Sequence, residues 1–394
     1  MYEEYNRSQD DQGRAQNQFV MEKAFEGHPY SRSIIGLPEH LKNPRLSKLI
    51  EFYEQWYVPE NMVLVLVGNI KAQQISGRIN AAFGRLAAKP APERKVYQNL
   101  EIKGRKQYSA KVGFYPQVAM VFNGVPAGHP DEDDLNIALA LLNTNSKAGH
   151  MDQLEQDGEQ LNNNSQTGTM DKLVLDGELT SAGAYTRTFR EQGRAIVAAI
   201  PLYDENQRRF ESTKSAEKKA LKAIQQIANG EFEDWKIDAI KAEKCRQFDL
   251  EMESNEDKAM ILMNAFYNEQ DLGDILNYKD KIMAITTDDI KRVAKKYLSD
   301  NYLAQYIEKG KPDKNAKIEK PGYKPVEPPV GKESLYATQF KNLPIGQMEE
   351  KFADYGEVQI KQLNDRSKMY YTPNKENNVF QLIVQYGAGI RCSS

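Results

Sequence analysis

The sequence predicts an α+β protein built from repeated units, and three observations support this. A helix followed by a buried strand is predicted over residues 43–70, the same arrangement returns over 286–307, and a proline-rich stretch at 310–331 precedes the last predicted strands. At 394 residues, the chain is long enough for several domains of about 100 to 200 residues each. The pattern therefore indicates consecutive α+β domains along one chain.

The first helix and strand are predicted from hydrophobic spacing and from one proline. Apolar residues recur every three or four positions over 46–57, which is typical of one face of a helix. Pro59 cannot continue that helix because it lacks a backbone N–H. The continuous apolar run at 62–67 then predicts a strand that is covered on both faces and ends at Gly68. A second amphipathic helix is predicted over 72–86.

The second helix and strand repeat this design. Thr286 and Asp289 have the spacing of a capping box, which predicts the start of a helix. Tyr57 and Tyr297 are 240 residues apart (297 minus 57), and the same spacing relates Ile50 to Ile290. We expect both tyrosines to end helices, and we expect 63–67 and 303–307 to form interior strands. The shared order favours a duplicated unit over chance.

The region between the two copies predicts both strands and helices. Residues 143–168 are rich in Asn, Gln and Gly and are interpreted as a loop or a broken helix. After the proline-rich stretch, two further strands are expected at 355–360 and 379–386. The strands predicted between the copies are 117–122, 183–188 and 195–200, and the helices are 131–142, one ending near residue 230, 233–252 and 256–267.

These elements predict four segments. Residues 1–105 form the C-terminal part of a first α+β domain, 106–310 a second domain, 311–354 an extended linker, and 355–394 the beginning of a third repeat. The linker interpretation rests on its Pro and Lys content, because such a segment cannot bury enough apolar surface to fold. By the repeat spacing, the first unit would start about 130 residues before Met1. The alternative is a first domain that is simply shorter and different.

Composition excludes several kinds of site. The net charge of −3 is spread along the chain, so no face is obviously built for nucleic acid. No apolar run approaches the ~18 residues of a membrane span. The four histidines include no pair at i, i+4, so no helical zinc pair is present, and no phosphate-binding loop motif occurs. Glu3 and Glu4, on composition alone, are a solvated helix start.

Three segments of the sequence resemble a known protein family. YEEYNR, FEGHPYSRSIIGLPEHL and LIEFYEQWYVPENMVLVLVGNI resemble the middle of the pitrilysin/insulinase family of zinc peptidases. The resemblance implies repeated α+β units, each a mixed or antiparallel sheet with helices packed on one face, of the LuxS-like metallopeptidase and processing-peptidase type. It makes 1–105 part of a catalytic-type domain. Glu4 matches the third zinc ligand of the family, with Glu3 as its neighbour.

The resemblance also implies what this chain lacks. In the family, an H-x-x-E-H helix supplies two histidine ligands and the general base, and that motif does not occur in these 394 residues. Because a catalytic zinc needs three protein ligands, we expect this chain to bind no zinc and to carry no catalytic residue of its own. Zinc is expected only in a full-length family member.

Three functions remain open. The first is a fragment of a zinc-dependent metalloendopeptidase or oligopeptidase that hydrolyses peptide bonds, inactive by itself, with a peptide or small protein as substrate. The second is a non-catalytic peptidase-like partner subunit or peptide-binding scaffold, with a homodimer as one possible assembly. The third is an unrelated α+β interaction protein. Resemblance to long bacterial members favours an extracytoplasmic, periplasmic location.

Overall fold

The computed structural model describes residues 2–8, 10–37, 40, 44–143, 167–311, 330–344, 356 and 358–385. The chain divides into two compact units, Met1–Glu319 and Lys320–Ser394. Most of the predicted loop at 143–168 and most of the predicted linker lie outside the described residues. The domain boundary at 105/106 stays a prediction.

The larger unit contains twelve described helices longer than one turn. Most were expected from hydrophobic spacing, and the capping box of Thr286 and Asp289 is present at the start of the last one. In chain order they are α1 Tyr2–Ser8, α2 Gln12–Ala24, α3 Leu46–Trp56, α4 Ala72–Phe83, α5 Glu132–Leu142, α6 Thr169–Leu175, α7 Thr213–Asn229, α8 Asp234–Glu251, α9 Asn255–Asn268, α10 Leu272–Leu276, α11 Tyr278–Ala284 and α12 Thr287–Tyr297.

A five-stranded mixed sheet forms the centre of this unit. Its spatial order is β1-β7-β2-β4-β3, with β1 parallel to β7 and the other neighbours antiparallel. A separate two-stranded ribbon pairs β5 with β6. The strands are β1 Lys106–Gly113, β2 Gln117–Asn123, β3 Leu179–Thr188, β4 Gly193–Pro201, β5 Tyr203–Asp204, β6 Arg209–Phe210 and β7 Tyr302–Lys309.

The main apolar core lies between one face of this sheet and the helices α5, α7 and α12. Met120 and Phe122 on β2 point into it, together with Ile290 and Val293 on α12. Strand β7 lies inside the sheet between β1 and β2, and its residues 302–307 are buried. The second copy of the predicted helix and strand is therefore confirmed, and Tyr297 ends its helix as expected.

Helix α2 covers part of the opposite face of the sheet. Val20, Ala24 and Phe25 pack there against apolar side chains of β2, β4 and β7. Sequence reasoning placed helices on one face only, because nothing in the pattern of α2 shows which sheet it contacts. The α+β class with a mixed sheet is confirmed, and α2 adds a second covered face.

The first copy of the helix and strand differs from expectation. Helix α3 forms and Tyr57 caps its end, but 62–67 has no strand pairing and most of its side chains are exposed. The prediction of an interior strand there is wrong for this structure. A strand forms only where a neighbouring strand completes its hydrogen bonds. Strand β7 has two such partners, β1 and β2, which precede it in the chain. Among the described residues before Met62, no strand is available to pair.

The smaller unit contains one described helix and one hairpin. These are α13 Leu335–Lys341, β8 Gln359–Asn364 and β9 Ser367–Tyr371, the two strands pairing antiparallel. The expected strand near 360 is confirmed in part. The expected strand at 379–386 is wrong over its described residues 379–385, which have no regular structure. Strand β9 was missed because Lys368 and Ser367 give it no apolar alternation.

Candidate functional site

The predicted ligand Glu4 and its neighbour Glu3 lie in the first turn of α1, and both side chains are exposed. Carboxylates are favourable at this end of a helix because the helix dipole is positive there. The other side of α1 carries Tyr5 and Ser8, both buried. The Ser8 hydroxyl donates to the Tyr5 carbonyl at 2.6 Å. The helix thus packs through Tyr5 and presents its acidic residues to solvent.

The described residues do not form a zinc site. Across the part of the chain that the structure describes, no three His, Cys, Asp or Glu side chains are grouped to hold a metal ion. A catalytic zinc needs three protein ligands, and α1 carries two carboxylates, those of Glu3 and Glu4. His28 and His129 take part in turns, His40 is exposed, and His150 lies outside the described residues.

Helix α2, which follows α1, is held on the sheet by glutamine side chains. Gln12 Nε2 donates to the Gly113 carbonyl at 2.9 Å and also to the Gly310 carbonyl, at the point where β1 and β7 end. Gln305, fully buried on β7, donates from Nε2 to the Val20 carbonyl at 3.3 Å. These bonds fix the position of α2 relative to the central sheet.

The GHPY phrase forms the turn after α2. Gly27 has φ +89, a left-handed conformation that glycine adopts without steric cost. His28 is 3% exposed; its Nδ1 accepts from the Tyr30 N–H at 3.2 Å, and its Nε2 lies 3.1 Å from a carboxylate oxygen of Glu191. Because Nδ1 accepts, Nε2 carries the proton and donates to Glu191. His28 therefore joins the turn to the β3–β4 hairpin.

Arg194 is the charged residue at the centre of the contact between the end of α2 and the β3–β4 hairpin. It is 2% exposed, and it donates from Nε to the Ala24 carbonyl, from Nη1 to that of Gly193 (both 3.0 Å), and from Nη2 to that of Leu100. Its guanidinium lies 5.0 Å from the centroid of the Phe25 ring. Burial lowers the pKa of Arg194 to about 10. One side chain thus joins α2, the connector before β1, and β4.

Aromatic rings surround this contact. Phe25 meets Tyr30 and Phe189 edge-on, with centroids 5.6 and 5.5 Å apart. Tyr30 lies 4.5 Å from Phe189, and His28 lies 4.9 Å from Tyr97. Such pairs contribute about 0.5 to 1.5 kcal/mol each beyond their buried area. Residues 25–30 (FEGHPY) therefore contribute to the packing of α2 against the β3–β4 hairpin.

Two buried carboxylates stabilise the helical layer on the other face of the sheet, and the first of them, Glu217, joins α7 to β7. Glu217 on α7 accepts from Arg105 at 3.0 Å, from the Tyr302 hydroxyl at 2.7 Å and from the Tyr306 hydroxyl. Burial, and then the hydrogen bond to Glu217, raises the pKa of Tyr302 and of Tyr306 to about 12. The four side chains Arg105, Glu217, Tyr302 and Tyr306 therefore form one hydrogen-bonded cluster.

The second carboxylate is Asp131, before α5. It accepts from Arg292 at 2.6 Å, Lys296 at 2.8 Å and the Tyr297 hydroxyl at 2.6 Å, all on α12. Burial alone would raise the pKa of Asp131, but the hydrogen bonds from Lys296, Tyr297 and Arg292 outweigh it and hold that pKa well below its usual range. This contact stabilises the packing of α5 on α12.

The family model described as "Peptidase M16 inactive domain" matches residues 45–244, about half of the chain. The chain belongs to this family. The resemblance to the pitrilysin/insulinase zinc peptidases is thereby confirmed, and the M16 match includes α3 and most of the central sheet.

Among curated relatives, zinc protease PqqE of Helicobacter pylori is 20% identical over 281 residues, covering 70% of this chain and 58% of PqqE. The chain thus spans little more than half the length of that relative. Two solved structures share the fold. The M16 inactive domain from Pseudomonas fluorescens has a TM-score of 0.61 at 15% identity, covering 78% of this chain and 68% of that one.

The second structure is the first half of the periplasmic protease PqqL from Escherichia coli. Its TM-score is 0.58 at 14% identity, with 78% of this M16 chain and 64% of PqqL's first half covered. At these identities the likeness shows the fold alone. In the described part of the chain, no helix is both long and apolar enough to cross a membrane.

Sequence reasoning located Glu3 and Glu4 on a helix start but missed the residues that hold that region on the sheet. Arg194, Gln12 and Gln305 are single polar residues in strands or at helix starts. The sequence contained one signal for this role. Arg194 directly precedes the apolar run 195–200, and a charged side chain in a buried strand needs specific hydrogen-bond partners.

Proposed function

We propose that this chain is the non-catalytic part of a zinc-dependent endopeptidase or oligopeptidase of the M16 family, inactive by itself. It contributes the second α+β unit and the helix that carries the third zinc ligand, Glu4. The observation that carries the proposal is the position of α1. Its acidic turn is exposed, while its following helix is fixed on the sheet of the inactive domain by Gln12 and Arg194.

The ligand count supports the inactivity. The described residues provide no three-ligand group, and the H-x-x-E-H motif is absent from the sequence. We infer that the missing ligands belong to sequence that relatives such as PqqE carry and this chain does not span. In the longer protein the substrate is a peptide or small protein. A periplasmic location is proposed from the name of PqqL, a periplasmic protease.

A second candidate is a non-catalytic subunit or peptide-binding scaffold that works beside a catalytic M16 chain. The absence of H-x-x-E-H from these 394 residues favours it equally. The two proposals differ in one observable property. A fragment gains zinc and peptidase activity when its own upstream sequence is restored, whereas a scaffold stays inactive with its whole sequence in place.

Substitution of the two glutamates in the longer protein tests the ligand assignment. Glu4→Gln removes a charged ligand with little change of shape, so zinc content and cleavage of a fluorogenic peptide should both fall. Glu3→Gln on the neighbouring position is the matched control and should change both much less. Full zinc content and full activity in the Glu4→Gln protein would exclude Glu4.

A further inference from the structure

Helix α7 carries a row of lysines on its solvent-facing side. Lys214, Lys218 and Lys222 occur at every fourth position, and all three are exposed. Residues with this spacing lie on one side of a helix, about 6 Å apart along its axis. The other exposed residues of α7 are Gln225 and Asn229. The outer side of this helix therefore presents positive charge and no negative charge.

Helix α12 packs on α7 and runs antiparallel to it. Near the start of α12, Lys291 lies beside Gly230, which follows α7, since a Cβ added there would be 3.1 Å from Lys291 Cδ. After the end of α12, the Tyr302 hydroxyl donates to Glu217, near the start of α7, at 2.7 Å. Lys295 is exposed between these two points. We term the following residues the lysine surface: Lys214, Lys218, Lys222 and Lys295.

The charge of the lysine surface is not neutralised within the described part of the chain. None of its four members forms an ion pair with a residue that the structure describes, whereas their neighbours do. Lys219 lies 3.3 Å from a carboxylate oxygen of Glu211, and Lys291 lies 2.8 Å from one of Asp288. Glu217, the one acidic residue of α7, is buried. The four ammonium groups are therefore available to an anionic partner.

The stability of α7 does not account for this arrangement. Like charges four positions apart on a helix repel each other and destabilise it. Lys214 also lies in the first turn, where the positive end of the helix dipole disfavours a cation. A carboxylate at the position of Lys218 would instead attract the lysines on both sides. The spacing is therefore better explained by an anionic partner than by folding.

The residue types narrow the choice of partner. Protein interfaces are enriched in Tyr, Trp and Arg and depleted in Lys, and proteins that bind single-stranded nucleic acid stack bases on aromatic rings. Helix α7 exposes no aromatic ring and no arginine, and Arg292 of α12 is bonded to Asp131 and Asp134. Lysine is a flexible point charge, which suits a surface of many mobile anionic groups, such as the headgroups of a lipid bilayer.

We propose that the lysine surface binds anionic phospholipid headgroups and attaches the protein reversibly to a membrane surface. The attraction is electrostatic, because neither α7 nor α12 exposes a large apolar side chain. The net charge of the whole chain, −3, opposes attraction to an anionic bilayer, so binding depends on this local surface. The inference goes beyond the proposed function, since it involves neither the zinc ligand nor peptide cleavage.

The number of charges sets the expected affinity. A lysine close to an anionic bilayer strengthens binding about fivefold. Four lysines together correspond to half-maximal binding at about 1 mM lipid. Because the attraction is electrostatic, binding should be lost in about 1 M salt, where the Debye length is about 3 Å.

Sedimentation with sucrose-loaded vesicles measures this binding. The 394-residue protein is mixed at low ionic strength with vesicles of equal parts phosphatidylglycerol and phosphatidylcholine, and separately with vesicles of phosphatidylcholine alone. We expect binding to the anionic vesicles only. Lys218→Gln should weaken it about fivefold, and the quadruple variant with glutamine at all four positions should not sediment measurably. Circular dichroism checks that each variant keeps its helix content.

A second quadruple variant is the matched control. It replaces four exposed lysines outside α7 and α12 with glutamine, so both quadruple variants change the net charge from −3 to −7 (−3 minus 4). The control positions are Lys48, Lys71, Lys89 and Lys95. This control should bind the anionic vesicles like the wild type. Equal loss in the two quadruple variants would overturn the inference, as would wild-type binding to phosphatidylcholine alone or no binding to the anionic vesicles.

Two further probes test other anionic partners. A labelled DNA duplex and a poly-glutamate peptide are each titrated with the wild type and with the quadruple variant of the lysine surface. Weaker binding of both probes than of the anionic vesicles, at equal concentration of negative charge, supports the lipid assignment. Tighter binding of either probe that is lost in the variant would assign the surface to nucleic acid or to an acidic protein, and would overturn the inference.

Discussion

Arg194 and Phe25 connect the central sheet to the N-terminal segment, the guanidinium lying 5.0 Å from the ring centroid while its Nε donates to the carbonyl of Ala24. A buried arginine without a carboxylate partner is expensive unless its donors are satisfied. Here carbonyl oxygens of three segments accept them. We infer that this pair holds α2 in place.

Replacing Arg194 with Met keeps an unbranched, largely apolar side chain but removes the N–H donors to three carbonyl oxygens. We expect a loss of about 2 to 4 kcal/mol in the free energy of unfolding. Urea denaturation followed by circular dichroism measures it. Lys222→Met, at an exposed position of α7, is the control and should cost less than about 0.5 kcal/mol. Equal stability of both variants would show that Arg194 does not hold α2.

The pair of His28 and Glu191 gives a second prediction. His28→Ala removes both the cap on Tyr30 and the bond to Glu191, so we expect a loss of about 1 to 3 kcal/mol. Glu191→Gln retains an acceptor for Nε2 and should cost less. A double-mutant cycle with urea denaturation measures the coupling. A coupling energy of zero would mean that the two side chains act independently.

Most of the second unit was predictable because its determinants are local. The capping box at Thr286, the apolar spacing of α12 and the run at 302–307 each predict their own element. The same kind of run at 62–67 misled the prediction, because a strand also depends on neighbours that sequence pattern does not show. Arg194 was missed for a related reason: two of its three carbonyl partners, Ala24 and Leu100, are distant in sequence. Glu4 was singled out by family resemblance alone.

Glu132, the first residue of α5, predicts a pH dependence. Burial raises its pKa to about 7, and its carboxylate accepts from the Gly128 N–H at 2.7 Å. The folded state therefore favours the protonated form. The stabilisation from this group is complete below the unfolded pKa near 4.5 and is lost as pH rises to about 7.

Glu132→Gln should consequently be more stable than the wild type at pH 8, by about 1 to 3 kcal/mol, with the difference disappearing near pH 4. Urea denaturation at a series of pH values measures it. Glu231→Gln, at an exposed position, is the control and should show no such crossover. A constant difference between Glu132→Gln and wild type at all pH values would contradict the account.

Asp131 predicts the opposite dependence. Its pKa is held low by Lys296, Tyr297 and Arg292 against the effect of burial, so its stabilisation is present above about pH 4 and is lost as the pH falls. We expect Asp131→Asn to lose about 2 to 4 kcal/mol at pH 7 and less at pH 2.5. Thermal unfolding at both pH values measures the change. An equal loss at both would exclude the charge as its cause.

Zinc stoichiometry distinguishes an M16 part without a complete metal site from a chain that is a zinc peptidase by itself. The purified 394-residue chain is equilibrated with zinc, passed over a desalting column and measured by inductively coupled plasma mass spectrometry beside a fluorogenic peptide assay. We expect far less than one zinc per chain and no turnover. Bound zinc and peptide cleavage should both appear once the upstream sequence is restored. One firmly bound zinc per 394-residue chain, with peptide cleavage, would contradict the proposed function.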